Sequence, residues 1–109
     1  MQFLFVRLIY EKPMHGYQLM EELERRGFVL PGRLETGSVY TILRRMEHRG
    51  LLSSEWDMKA SGPDRRVYMV TDDGVEFLRR GLEEMVKRRA LMDDLTSFYR
   101  EHFQGESED

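Results

Sequence analysis

The segment that most constrains this chain begins at Thr71-Asp72-Asp73 and continues to about His102. A threonine followed by two aspartates suits a helix start, where side-chain oxygens accept from unpaired N–H groups and negative charge is favoured. Val75, Leu78, Leu82, Met85 and Met92 then follow at spacings of three, four, three and seven, close to a heptad seam. Leu95, Phe98 and Tyr99 extend the apolar stripe. At ~1.5 Å per residue, a helix from Asp73 to His102 is about 45 Å long. A three-helix domain with a hairpin cannot cover such a helix by itself, and large uncovered apolar surfaces mark interfaces. The segment therefore predicts a twofold homodimer. Its contact residues are expected to be Val75, Leu78, Leu82, Met85, Met92, Leu95 and Tyr99, with Leu4 and Leu8 contributing from the first helix.

The elements before this helix are short. Phe3, Leu4, Val6, Leu8 and Ile9 predict a first helix that Glu11-Lys12-Pro13 ends, because proline lacks an N–H and forces Lys12 to be extended. A second helix starts near His15-Gly16, carries Tyr17, Met20, Leu23 and Glu24 at helical spacing, and stops at Gly27. After a connection containing Pro31 and Gly32, a third helix runs from about Thr36 to Arg49, with Thr36 or Ser38 as its cap. Val39, Leu43 and Met46 form its core stripe, with Ile42 beside them. Leu51 to Met58 and Arg66 to Val70 read as two strands, joined by the turn-rich, basic segment 59–65. The fold class is mostly α with a small β-hairpin: a winged helix-turn-helix domain over residues 1–71, a C-terminal dimerisation helix over 72–103, and an acidic flexible tail over 104–109.

Charge is distributed in a way that the net value of −3 conceals. Residues 1–32 carry four side chains of each sign, residues 33–66 seven positive and five negative, and residues 67–109 six positive and eleven negative. The basic middle third coincides with the third helix and the hairpin, and local field matters more than total charge for meeting a polyanion. In a helix-turn-helix the second helix of the pair enters the major groove. Here that helix leaves Ser38, Thr41, Arg45 and His48 opposite its core stripe, with Arg44 beside them. Small hydroxyls allow close approach to DNA, and arginine can bond phosphate or, through two bonds, guanine. Lys59, Arg65 and Arg66 on the hairpin are placed to meet phosphates. Taken alone, the helix face reads equally well as a solvated surface. Helix and hairpin together favour double-stranded DNA as the partner. The competing reading is a winged-helix module for protein–protein assembly that does not bind DNA.

Four segments carry a family resemblance. They are Pro13-Met14-His15-Gly16-Tyr17, the run from Gly37 to Glu47 (GSVYTILRRME), Gly50-Leu51-Leu52, and the run from Gly62 to Gly74 (GPDRRVYMVTDDG). Their ordered set resembles the PadR family of transcriptional regulators, over roughly Leu4 to Leu82. The resemblance implies a winged-helix dimer that acts as a repressor on a near-palindromic operator, with the C-terminal helix forming much of the dimer contact. It implies that the hydroxyls of Tyr17 and Tyr40 reach phosphates, and that a small aromatic effector can release the DNA. The sequence departs from the family at Thr41, where many members have proline, and in its single tryptophan. Drug-binding members carry a tryptophan on the C-terminal helix, whereas Trp56 lies in the hairpin and is expected to pack.

Other chemistry finds no support. There is no cysteine, and His15, His48 and His102 are too scattered for a metal site. His15 is expected to bond or pack at the start of its helix. Asp72 with Asp73 reads as a helix start and not as an acid/base pair. No serine-histidine-aspartate order or phosphate-binding glycine loop is present, so neither an enzyme nor a cofactor is expected. The apolar start carries Arg7 and has no cleavage site, so it reads as a helix and not a leader, and the expected location is the cytoplasm.

Overall fold

The computed structural model describes residues 1–59 and 65–107. The expected tip of the hairpin, 60–64, and the end of the expected tail, 108–109, lie outside the described residues. The elements are α1 (Gln2–Glu11), β1 (Met14–His15), α2 (Gly16–Arg25), α3 (Thr36–His48), β2 (Leu52–Trp56), β3 (Arg66–Val70), α4 (Asp72–His102) and α5 (Gln104–Ser107). The chain divides into two units, Met1–Leu78 and Arg79–Asp109.

In the first unit, local chemistry sets the boundaries. Lys12 is extended (φ −162°, ψ 128°), as a residue preceding proline must be, and α1 ends there. Both helices of the helix-turn-helix end in the same motif. Gly27 and Gly50 take φ of +76° and +81°, which side chains resist. The N–H of Gly27 then reaches the Glu24 carbonyl at 3.1 Å and that of Phe28 the Leu23 carbonyl at 2.9 Å. After α3 the corresponding bonds are Gly50 to Glu47 at 3.0 Å and Leu51 to Met46 at 2.9 Å. Carbonyls left over at each helix end are thereby satisfied, and the chain turns directly into its next segment.

The sheet has strand order β1-β3-β2, antiparallel throughout. β1 is a two-residue strand that sequence patterning did not predict, pairing Met14 with Tyr68 and His15 with Val67. The β2–β3 hairpin pairs Leu52 with Val70, Ser54 with Tyr68 and Trp56 with Arg66. The core joins Phe5, Val6, Leu8 and Ile9 of α1, Leu19 and Leu23 of α2, Val39, Leu43 and Met46 of α3, Tyr68 of β3 and Leu78 of α4. In α2 the buried positions are Gly16, Leu19 and Leu23, and Tyr17 faces outward instead of forming part of the stripe.

Thr71 closes this unit. Its hydroxyl donates to the Gly50 carbonyl at 2.6 Å and accepts from the Gly74 N–H at 3.0 Å, while its own N–H bonds the Leu51 carbonyl at 3.2 Å. This is the expected threonine cap of α4. A β-carbon at Gly74 would lie 2.2 Å from the Leu51 carbonyl oxygen, so only glycine fits there. At the start of α3 the expected cap is corrected: the cap position is Glu35, and no side chain bonds the helix end.

In the second unit, the rest of α4 is exposed in the single chain, from Leu82 through His102. Pairs one turn apart line it, including Arg89 with Asp93 at 3.5 Å and Lys87 with Glu84 at 3.7 Å. Phe98 stacks on His102 at 4.1 Å between ring centres. The acidic segment expected as a tail begins with a four-residue helical turn, α5.

Candidate nucleic-acid interface

α3 is placed by its apolar stripe. With Val39, Leu43 and Met46 fully buried, Ser38, Thr41, Arg44, Arg45 and His48 are all exposed. The Thr41 hydroxyl donates to the Gly37 carbonyl at 2.8 Å, which turns its proton into the helix and leaves its lone pairs outward. Two shallow hollows flank this face. One, of about 550 Å³, is lined by Gln2, Arg44, Arg45, His48 and Arg49. The other, of about 530 Å³, is lined by Glu35, Gly37, Ser38, Thr41, Ile42 and Arg45. Arg45 borders both. Arg49 donates to the Gln2 side chain at 2.7 Å, so the start of α1 braces the end of α3. Sequence reasoning missed Arg49 and Gln2. Arg49 lies one turn beyond Arg45 and was findable, whereas Gln2 is 47 residues away and only the fold brings it here.

The two tyrosines assigned by resemblance lie around the start of α2. Tyr17 is 45% exposed and stacks on His15 at 5.2 Å. Tyr40 is half-buried, and its ring comes so close to Gly16 that a β-carbon there would sit 2.3 Å from it. His15 itself is buried at the helix start. Its N–H donates to the Gln18 side chain at 2.8 Å, and its Nε2 lies 3.0 Å from the Asp57 carboxylate, off line for a hydrogen bond.

On the hairpin, Lys59 and Arg65 are exposed. The Lys59 N–H donates to the Asp57 carboxylate at 3.0 Å, and the Asp57 N–H to the Arg65 carbonyl at 2.7 Å, extending the ladder beyond the strands. Arg66, expected to meet a phosphate, has a side chain 43% exposed and also makes contacts within the hairpin and to α3. It lies over the Trp56 ring at 5.0 Å, donates to the Ser54 hydroxyl at 3.3 Å and is 3.8 Å from the Glu47 carboxylate. Trp56, expected to pack, is 62% exposed, because its strand pair lies at the end of the sheet farthest from the Leu52–Val70 pair in the core.

Where α1 and α2 end, Glu11, Glu22, Arg25 and Arg26 form a charge-balanced network. Arg26 reaches Glu11 at 2.8 Å and Glu22 at 2.9 Å, and Arg25 reaches Glu22 at 2.7 Å. Hydrogen bonds from Arg25 and then Arg26 bring the Glu22 pKa down to about 2. With both charges matched, this cluster joins helices and does not attract an anion.

Of the residues expected at a dimer contact, Val75, Leu82, Met85, Met92, Leu95 and Tyr99 are exposed in the single chain. Leu8 and Leu78 are corrected: they are 0% and 6% exposed, because both fill the core and leave little surface for a partner. Leu4 is half-buried against that core.

Three helices, the third of them an exposed recognition-type helix, and a hairpin define a winged-helix protein. The family model of the transcriptional regulator PadR-like family matches residues 6–80, and the chain belongs to that family. It is similar to Transcriptional regulator Rv3488 of Mycobacterium tuberculosis, at 39% identity over 80 residues, covering 71% of this chain and 70% of the relative. Among solved structures it resembles a PadR family transcription regulator from Clostridium difficile R20291, at 26% identity and a TM-score of 0.72, covering 87% of this chain and 96% of the other. A PadR-like regulator (BC4206) from Bacillus cereus matches at 25% identity and a TM-score of 0.72, covering 87% and 89%. The protein is therefore a transcriptional regulator and not an enzyme. Among the described residues no helix is long and apolar enough to cross a membrane.

Proposed function

We propose that the protein is a sequence-specific DNA-binding repressor that acts as a homodimer on a near-palindromic operator. The observation that carries this reading is the exposed face of α3, where Ser38, Thr41, Arg44, Arg45 and His48 stand clear of the core. Arg45, which borders both hollows, is the residue assigned to base edges, with Arg44 beside it. Ser38 and Thr41 let the helix approach closely. Tyr17, Tyr40, Lys59, Arg65 and Arg66 meet phosphates. The exposed apolar residues of α4 form the dimer contact, and the two α3 helices then read half-sites about 34–36 Å apart or a multiple of this. A small aromatic molecule is the effector class, suited by the methionines and aromatic residues of α4. The site of action is the cytoplasm.

The test is a binding isotherm on a selected duplex and on a mixed-sequence duplex, at two salt concentrations. Arg45→Ala is expected to cost about 1–3 kcal/mol on the selected duplex and less on the mixed one. Lys59→Ala or Arg65→Ala should weaken both alike and lower the salt slope by about 0.9. If all three changes leave both affinities intact, the assembly-module reading takes first place.

A further inference from the structure

Glu47, Ser54, Trp56 and Arg66 form a cluster beside the candidate interface. Glu47 lies on α3 next to Met46 of the core stripe and is only 29% exposed at its side chain. Its carboxylate accepts from the Ser54 hydroxyl at 2.7 Å. Ser54 accepts in turn from Arg66 at 3.3 Å, and Arg66 is 3.8 Å from the second Glu47 oxygen. The guanidinium then covers the Trp56 ring at 5.0 Å, an arrangement favoured by the negative face of the indole. Ser54 and Trp56 belong to β2, and Arg66 pairs with Trp56 from β3. One carboxylate on α3 thus holds both strands of the hairpin at their last pair, Trp56 with Arg66.

We infer that Glu47 is a positioning residue for DNA recognition: through Ser54 and Arg66 it sets the wing base relative to α3, so that helix and wing engage one duplex together. This rests on the DNA-binding reading of α3. The placement is informative because a carboxylate on a helix that faces a polyanion is electrostatically unfavourable there. If Glu47 were only a nearby charge, its removal would strengthen binding to every duplex. As a positioning group its removal weakens binding to the duplex whose spacing matches helix and wing, and does not weaken binding to the rest.

The test uses the full chain and three variants: Glu47→Gln, Ser54→Ala and the pair combined. The ligands are the duplex that the wild type selects from random-sequence DNA and a mixed-sequence duplex. Glu47→Gln should lose about fivefold in affinity for the selected duplex, within the range for coupling through a contact network, while binding the mixed duplex as well or better. Ser54→Ala, which keeps every charge, should lose in the same direction, and the pair should lose less than the product of the two. Trp56 is the sole tryptophan and gives a readout without DNA: in Glu47→Gln, acrylamide should quench its fluorescence more strongly than in the wild type. Parallel tightening on both duplexes, or unchanged preference with unchanged quenching, overturns the inference alone. A wild type that prefers no duplex overturns the DNA-binding reading, and the inference with it.

Discussion

Leu78 and Leu82 lie about one turn apart in α4, yet the first is 6% exposed and the second 44%. They mark a boundary between two kinds of apolar surface. Before it, the unit Met1–Leu78 gathers a buried core into one cluster, in which Phe5, Leu8, Leu19, Leu23 and Leu43 are at 0%. Beyond it, Met85, Val86, Met92, Leu95 and Phe98 remain 52–70% exposed in the single chain. The residue types are alike and the helix is continuous. What differs is that the first unit closes on itself, whereas the apolar positions of the second have nothing in their own unit to cover them. Apolar residues whose burial is complete within one chain report on folding. Those left exposed at regular spacing report on association.

The contrast can be broken at either side. Leu43→Ala, at a fully buried position, should lose about 2–5 kcal/mol of stability in a denaturant titration. A loss under 1 kcal/mol would mean that the core is looser than its burial implies. Leu82→Glu combined with Met85→Glu should leave the fold of the first unit intact and shift the mass from two chains to one by light scattering at micromolar concentration. A wild type that already has the mass of one chain would remove the dimer from the proposal. The smallest effect sharpens the first unit alone. Glu22 has its folded pKa lowered to about 2 by Arg25 and Arg26, from an ordinary value of 4.5. Its contribution is therefore present above pH 4.5 and lost as pH falls through about 2. Glu22→Gln should lower stability at pH 7, matter least below about pH 2, and so flatten the pH dependence of unfolding across that window.

Much of this was legible in the sequence, for definite reasons. Val39, Leu43 and Met46 repeat at helical spacing within a helix of thirteen residues, long enough for a period to be read. The helix ends at Gly27 and Gly50 and the Thr71 cap were visible as single residues with strong local preferences. β1 was not legible, because two residues after a proline carry no alternation, and its existence depends on Tyr68 and Val67, more than fifty positions away. The same limit hid Gln2 beside Arg49 and the Glu47–Ser54–Arg66 contact. Packing of Trp56 is the expectation from its place in the hairpin, whereas register puts it opposite Arg66 at the loop end, beyond the core. Leu78 belongs to a seam that does not say which of its members the chain itself will cover, and Leu8 to a short apolar helix with no polar face to say which side turns inward.

The hydroxyl of Thr71 ties the end of α3 to the start of α4, with the Gly50 carbonyl on one side and the Gly74 N–H on the other. Because one group serves as donor and acceptor at once, losing that hydroxyl strips a partner from both helix termini in a part-buried site. The Gly74 amide is thereby shielded from exchange only while the Thr71 side chain stays in place, so its protection should report on the junction between the two helices. A serine could carry both bonds, and a valine of the same shape could carry neither. The shape of Thr71 matters less than the direction of one proton, which points at the last carbonyl of the turn after α3 and commits the first turn of α4 to follow it.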